Sequence, residues 1–514
     1  MEENITPVEH VRPRPLDAIA TFASKPENVF IVFWLIAAVT AAVFARPGTG
    51  FDEGFHIARS EQIAEGVFLP REVNREECDE TILTYSDTYK DRKFYGGQVD
   101  AAIYEMLVHA RDFEVAFAAS GSDASTLSCP GWTDSAFEMT NEVGSGSTVT
   151  WSFSNSSKNS PLCYFPYAVG FLFARLVTTS AWGTIAIMRI FGLLAFGALI
   201  YLAVRKCPFG KWILVALALS PNSITANSMV TADAMTSAFT FLYLAVLLRF
   251  FVSDEPSYRD WSLLAVSLCG LALMKLPYIC FGLMLFVAVG VNPSLRERSS
   301  LIRFTAIGVG ALVLLGAWSL ITKDVETYII WGDLGIDTKL QAQYMLSHPI
   351  EAFAAIWRAI IYGDLGLFDV SGYSLYPVPS WATSALYLLA FLAECQKPVM
   401  VCRPKILAAS LLGVSALAIL ALGAALYLTF TAVGSLVVDG LQPRYYVPIL
   451  FPVMLGLYLL FMGKPIVKAT DGRSICAVEG EPNSRYACPY VPILVTCLLM
   501  LYLYYRVYRI WLPF

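Results

Sequence analysis

The sequence predicts an all-α polytopic membrane protein with about eleven spanning helices. Three observations predict it. Of 514 residues, 56% are hydrophobic and only 15% charged, whereas soluble domains carry about 25% charged residues. The apolar residues fall in runs of roughly 20, the length that crosses a bilayer core of ~30 Å as a helix. Lys and Arg gather between alternate runs, as the positive-inside rule requires of a multi-pass chain. A mean hydropathy of +0.58 argues against a water-soluble enzyme, and a net charge of -5 offers no basic footprint for nucleic acid.

The spans are read at 28–46, 182–204, 211–228, 231–251, 261–275, 277–291, 302–322, 381–396, 405–432, 444–462 and 489–505. The first is apolar from Val29 to Phe44, lacks a small-residue cleavage site and is followed by Pro47, Gly48 and Gly50, so it reads as a retained span and not a signal peptide. Arg12, Arg14 and Lys25 precede it. Later clusters stand at Arg205/Lys206/Lys211, Arg296/Arg298/Arg303, Lys397/Arg403/Lys405 and Lys464/Lys468/Arg473. Their alternation places residues 1–27 in the cytoplasm together with the loop 466–488, ahead of a last helix and C-terminus at 489–514.

The opposite loops are the long ones, from about 47 to 181 and from about 323 to 380, and the first is long enough to be a folded functional element. Within it, the apolar stretch from Leu162 to Val177 cannot cross without inverting every later cluster, so it is expected to lie in the interface. Ser120 to Ser160 reads as turns or short strands. Cys78, Cys129 and Cys163 fall on this side, where a disulfide persists; a Cys78–Cys129 bridge stands beside the alternative of three free thiols.

Ionisable residues are scarce here, so those at the mouths of spans are the candidates for chemistry. Phe51 to Arg59 leaves the first span carrying Asp52, Glu53, His56 and Arg59. On a helix, Asp52, His56 and Arg59 share one face with Glu53 beside it. A partly desolvated carboxylate there can take a proton from a hydroxyl, with His56 or Arg59 orienting it; the alternative is a first turn whose acids only complement the helix dipole. Arg444, in Gln442-Pro443-Arg444-Tyr445, has the planar fork that suits phosphate, and Lys275 a point charge for the same anion. Snorkelling to the headgroups is the alternative for both. Asp233 can pair with a cation, bind a sugar hydroxyl or cap its turn. Arg189, inside the second span, is expected to face the protein interior or a wet cavity.

Asp364 and Asp369 with Tyr373, Tyr376 and Trp381 form either a stacking surface for an acceptor sugar or ordinary interfacial aromatics. Asp123 with Asp134, or Glu76-Glu77 with Asp79-Glu80, form either a metal site or, as the commoner case, solvated loop acids. With no Walker A loop or Rossmann fingerprint nothing argues for ATP or dinucleotide use, and no Cys/His cluster suggests zinc, so no cofactor is expected; a divalent metal stays open, with no sequence feature that indicates it.

The order of these features resembles a bacterial membrane family of uncharacterised function, domain of unknown function 2142, placed among the GT-C glycosyltransferases. The resemblance is carried by Asp52-Glu53 with His56, Tyr164-Phe165-Pro166, Ser228 to Asp233, Lys275-Leu276-Pro277, Gly366-Leu367-Phe368-Asp369 and Gln442-Pro443-Arg444-Tyr445. It implies a GT-C-like transmembrane domain over 28–465, in the inner membrane, with interfacial helices in its first long loop and an active site facing away from the cytoplasm. The implied activity is inverting transfer of a sugar from a polyprenyl-phosphate-linked donor to a cell-envelope glycan or lipid. Asp52 is then the base, with Glu53 and His56 beside it. Arg444, Lys275, Tyr445 and Gln442 hold the donor phosphate, and Asp233, Arg59, Tyr164, Tyr167 and Asp369 meet the substrate. A transporter or flippase for a lipid-linked saccharide is the alternative; it predicts internal repeats and midplane charges, of which no clear repeat and few charges are found.

Overall fold

The computed structural model describes residues 22–466 apart from 120–141, 363–379 and the short stretches 23–24, 45–46, 49–51, 82–84, 254, 331–332 and 397. The protein is mostly helical. Its helices run α1 (Pro26–Phe44), α2 (Glu53–Ala64), α3 (Ala101–Ala119), α4 (Phe165–Ala174), α5 (Ala181–Lys206), α6 (Lys211–Ala218), α7 (Pro221–Asn227) and α8 (Ala232–Val252). They continue with α9 (Tyr258–Ala272), α10 (Met284–Val291), α11 (Arg298–Ile321), α12 (Thr338–Ser347), α13 (Pro349–Tyr362), α14 (Ser380–Glu394), α15 (Pro404–Thr429) and α16 (Val447–Met462).

Among the described residues, α5, α8, α11 and α15 are long and apolar enough to cross a membrane by length and composition. Helix α8 is the centre of the bundle, with 89% of its most apolar window buried, whereas α11 at the periphery has 11%. A helix apolar on every side is stable in either place, since lipid and protein interior both accept it. Local signals set the ends. The Ser180 hydroxyl accepts the Gly183 N–H at the start of α5, Arg205 and Lys206 stand in its last turn, and the Thr231 hydroxyl accepts the Asp233 N–H at the start of α8, in the sense that capping and the helix dipole favour.

Other predicted spans are broken. Residues 211–228 divide into α6 and α7 at Ser220-Pro221, where Ser220 caps the second piece and Pro221 opens it. Residues 277–291 begin as a 3-10 stretch, Leu276–Leu283, before α10. The predicted span 489–505 lies outside the described residues.

The first long loop carries a small sheet. Strands β1 (Glu72–Val73), β2 (Phe94–Asp100) and β3 (Thr148–Ser152) form an antiparallel sheet in that order, with Val73 opposite Phe94 and Gly97 opposite Trp151. Strand β3 falls in the stretch read as turns or short strands, and β1 and β2 lie outside it. The β-branched and aromatic residues of β2 and β3 suit a half-buried sheet. Their signal is short and easily lost in a composition dominated by spans. A parallel pair, β4 (Val399–Val401) with β5 (Gly463–Pro465), joins the ends of two late helices. The second long loop clasps the first: Arg92 pairs with Glu326 at 3.0 Å and Asp337 at 3.1 Å, and the Thr88 hydroxyl donates to Asp333 at 2.7 Å.

Helix α4, expected to lie in the interface, has ten residues, about 15 Å of helix and half of a bilayer core. Phe165, Val169, Leu172 and Phe173 are exposed on it, and its other face packs on α5. The two backbones meet closely at Gly170, where a Cβ would lie 2.8 Å from the Met188 Cα. Cys78 and Cys163 are free and buried, and Cys129 lies outside the described residues.

Two predictions follow from this packing. Gly170→Leu forces α4 off α5 and lowers unfolding stability by about 1–3 kcal/mol, read as a lower Tm of the purified protein in detergent. The second concerns Glu61, a buried α2 residue with one oxygen accepting the Asp100 N–H at 2.8 Å and the other without a hydrogen-bond partner among the described residues. Loss of water pushes its carboxyl up to about 8. A carboxyl raised in the fold holds its proton more tightly there than in the unfolded chain. Its contribution is therefore fully present in acid and lost as pH rises from the unfolded value through about 8. Tm should fall across that window in the parent protein and fall less in Glu61→Gln; parallel pH profiles would refute the assignment.

Candidate functional site

The site is built around a buried ion pair. Both Glu53 and Arg189 are almost fully excluded from solvent. The Arg189 Nε donates to one Glu53 oxygen at 2.7 Å and Nη2 to the other at 2.6 Å. The same carboxylate accepts the Gly48 N–H at 2.9 Å and the Val230 N–H at 3.0 Å. One side chain thereby joins the exit of α1, the start of α2, the middle of α5 and the turn before α8. The expectation for Arg189, facing the interior, is met; Glu53, expected as a second catalytic acid, has both its oxygens engaged by these four donors.

Asp52, one residue earlier, is directed elsewhere. It adopts a left-handed backbone (φ 56°, ψ 14°) as the residue before α2, and its side chain makes no capping hydrogen bond. Its carboxylate lies 3.7 Å from Arg444 Nη2, with the side chain 30% exposed. Asp52 is therefore no helix cap by its side chain, and the site opens where it stands. Loss of water raises its carboxyl above the ordinary range, opposed by the charges of Arg444 and Lys275.

His56, one turn into α2, is buried with Nδ1 2.7 Å from the Tyr164 hydroxyl. That hydroxyl also accepts from the Asn159 amide at 2.9 Å. The simplest arrangement has Tyr164 donating to Nδ1, which leaves a proton on Nε2. Burial holds the imidazole down to about 3, so His56 is neutral at ordinary pH and works as a polar group, not a cation.

Asp233 completes the cluster from the first turn of α8. Its carboxylate pairs with Lys275 Nζ through one oxygen and lies 2.9 Å from Arg444 Nε through the other. Thr231 does the capping, so the Asp233 side chain is spared for the cations. The Tyr445 ring lies under both of these: Lys275 Nζ is 4.2 Å and the Arg444 guanidinium 5.3 Å from its centre, a cation–π platform. The Tyr278 hydroxyl donates to the Tyr445 carbonyl at 2.7 Å and steadies that platform. Asp52, His56, Asp233, Lys275, Arg444 and Tyr445 thus meet in one place, from four stretches of chain.

The other expected site residues make no direct contact with the Asp233–Lys275–Arg444 group in the described hydrogen bonds and ion pairs. Arg59 is buried and turned to the end of its own helix, donating to Gln62 and to the carbonyls of Val67 and Phe68 at 3.3 and 2.6 Å. The shared face with Asp52 is lost because Asp52 precedes the helix in a left-handed turn. Tyr164 serves His56. Tyr167 is buried against Gly192, where a Cβ would collide with its ring. Gln442 flanks the site with a buried Oε1 that has no hydrogen-bond partner among the described residues. Asp369, Tyr373 and Tyr376 lie outside the described residues, as does the side chain of Trp381. Among the described residues no group of His, Cys, Asp and Glu forms a metal-holding set. Sequence reasoning missed Asn159 and Tyr278, which carry no local signal because their roles exist only through residues 5 and 167 positions away.

The chain belongs to the family described as predicted membrane protein, domain of unknown function 2142, whose model matches residues 33–453. No curated protein and no solved structure matches it.

The division between the two neighbouring acids is testable by stability alone. Glu53→Gln leaves Arg189 buried without its counter-charge and should lower unfolding stability by about 3–5 kcal/mol. Asp52→Asn, at a partly exposed site, should stay within about 1 kcal/mol. Equal losses in thermal or denaturant unfolding would overturn the division.

Proposed function

We propose that this protein is a membrane glycosyltransferase that moves a sugar from a polyprenyl-phosphate-linked donor to a cell-envelope glycan or lipid on the extracytoplasmic side. The observation that carries the reading is the meeting of Asp52, Asp233, Lys275 and Arg444, which puts a carboxylate beside two cations suited to a phosphate. Glycosyl transfer outside the cytoplasm has no nucleotide-sugar or ATP pool to draw on, and a donor delivered as a lipid phosphate meets that need.

In the proposed reaction the Asp52 carboxylate takes the proton of the acceptor hydroxyl as its oxygen attacks the anomeric carbon. The bond from that carbon to the phosphate oxygen breaks, and its electron pair leaves with the polyprenyl phosphate. Arg444 and Lys275 stabilise the growing negative charge. In the resting protein Asp233 is their counter-ion and holds both side chains on the Tyr445 ring, so the cations are in position before the donor arrives. Arrival of the phosphate draws Arg444 from Asp52 and frees that carboxylate to act as base. Neutral His56 is then a hydrogen-bond donor to substrate through Nε2, fixed by Tyr164.

The test is transfer by the purified protein in liposomes, with a radiolabelled polyprenyl-phosphate sugar and an extract of envelope glycans and lipids as acceptor. Asp52→Asn should abolish transfer, and Arg444→Gln should slow it by about 10²–10³. Because Asp52 must be ionised, the rate should fall as acidity increases through a carboxyl value above the ordinary aspartate of about 3.9. Full activity in Asp52→Asn would remove the base, and movement of the lipid-linked sugar between leaflets without transfer would overturn the enzyme reading.

A further inference from the structure

At the far end of the bundle from this site, a cleft of about 610 Å³ is lined by Leu202, Arg205, Lys206, Arg249, Arg259, Ser262 and Leu263. Helix α8 sets the separation. Asp233 is in its first turn and Arg249 in its last, about 24 Å apart along the axis. The cleft lies where α5 and α8 end and α9 begins. Asp260, buried in the first turn of α9, holds the three together, pairing with Arg249 at 3.0 Å and Lys206 at 3.3 Å.

Four cations line the cleft, and among the described residues only Asp260 pairs with any of them, Lys206 and Arg249. Arg205 and Arg259 are both exposed and make no ion pair among the described residues. Arg205 is stacked on Tyr201 instead, 5.7 Å from the ring centre. Both walls continue toward the middle of the bundle as apolar surface. On α5 the row Arg205, Leu202, Leu194 has its last member 57% exposed, and on α9 the row Arg259, Leu263, Val266 has its last member 59% exposed. Arg205 and Lys206 also belong to a cluster that the loop alternation assigns to the cytoplasmic side.

We infer that this cleft binds the phosphate headgroup of an anionic phospholipid, with the acyl chains lying along the exposed apolar rows of α5 and α9. A free anion needs only the cations. The paired apolar rows leading away from them are what a lipid requires in addition, and basic clefts between spanning helices favour anionic headgroups for the same electrostatic reason. The inference is independent of the transfer reading, since it concerns the opposite end of the molecule.

The full-length protein, purified in detergent with equal phosphatidylglycerol and phosphatidylcholine, can be examined by native mass spectrometry for retained lipid. Phosphatidylglycerol should be retained in preference. That preference should fall about fivefold in Arg259→Gln and roughly twenty-fivefold in Arg205→Gln/Arg259→Gln, at about fivefold per cation near an anionic headgroup. Arg205→Lys/Arg259→Lys should keep most of it. Arg259 is exposed, so the single variant reports even where the double variant folds poorly. Equal retention of the two lipids, or an unchanged preference in Arg259→Gln, would overturn the inference. Displacement of phosphatidylglycerol by inorganic phosphate alone would overturn the lipid in favour of a soluble anion.

Discussion

The arrangement of the site depends on the buried pair between Glu53 and Arg189. Two charges removed from water are stable together only if their remaining hydrogen-bonding capacity is filled. Here the guanidinium gives two donors and the backbone at Gly48 and Val230 two more. Those four bonds come from different parts of the chain. Asp52 is one residue before Glu53 and Asp233 three after Val230, so satisfying this one carboxylate brings Asp52 and Asp233 to the same mouth of the bundle. Two acids adjacent in sequence thereby have different surroundings, Glu53 among four donors and Asp52 beside Arg444.

A second consequence is electrostatic. Asp233 pairs with both Lys275 and Arg444 and balances one of their two charges, and Tyr445 offers both cations its ring face, so neither is left bare in an apolar surrounding. Asp52 touches this group only through the longer contact of 3.7 Å to Arg444. Its side chain is 30% exposed, against 8% for Asp233. Its exposure relative to Asp233 follows from the left-handed turn that precedes α2.

Much of this was legible in the sequence for a physical reason. A charge near a membrane span is expensive, so Asp52, His56, Asp233, Lys275 and Arg444 stand out as soon as the apolar runs are marked. What local reading could not separate was neighbouring residues of like chemistry. Asp52 and Glu53 look interchangeable until the backbone turns them apart. Arg59 shares a helical face with Asp52 only if Asp52 is helical, and it is not. The strand Phe94–Asp100 was likewise hard to read, because it is buried at all but one position and shows no alternation, and its seven residues are few beside spans three times its length.

The amino-acid sequence alone determined the membrane class and the limits of the long helices: the runs read at 182–204, 231–251 and 405–432 are helices over Ala181–Lys206, Ala232–Val252 and Pro404–Thr429. Transfer from water to an apolar medium is a property each residue carries by itself, so its sum over a window is visible in one dimension. Only the tertiary structure decided that Glu53 answers Arg189, that Asp233 answers Lys275 and Arg444, and that α6 and α7 break at Pro221. Pairing of charges falls off with distance in space and takes no account of separation along the chain, so it came into existence only when the helices packed.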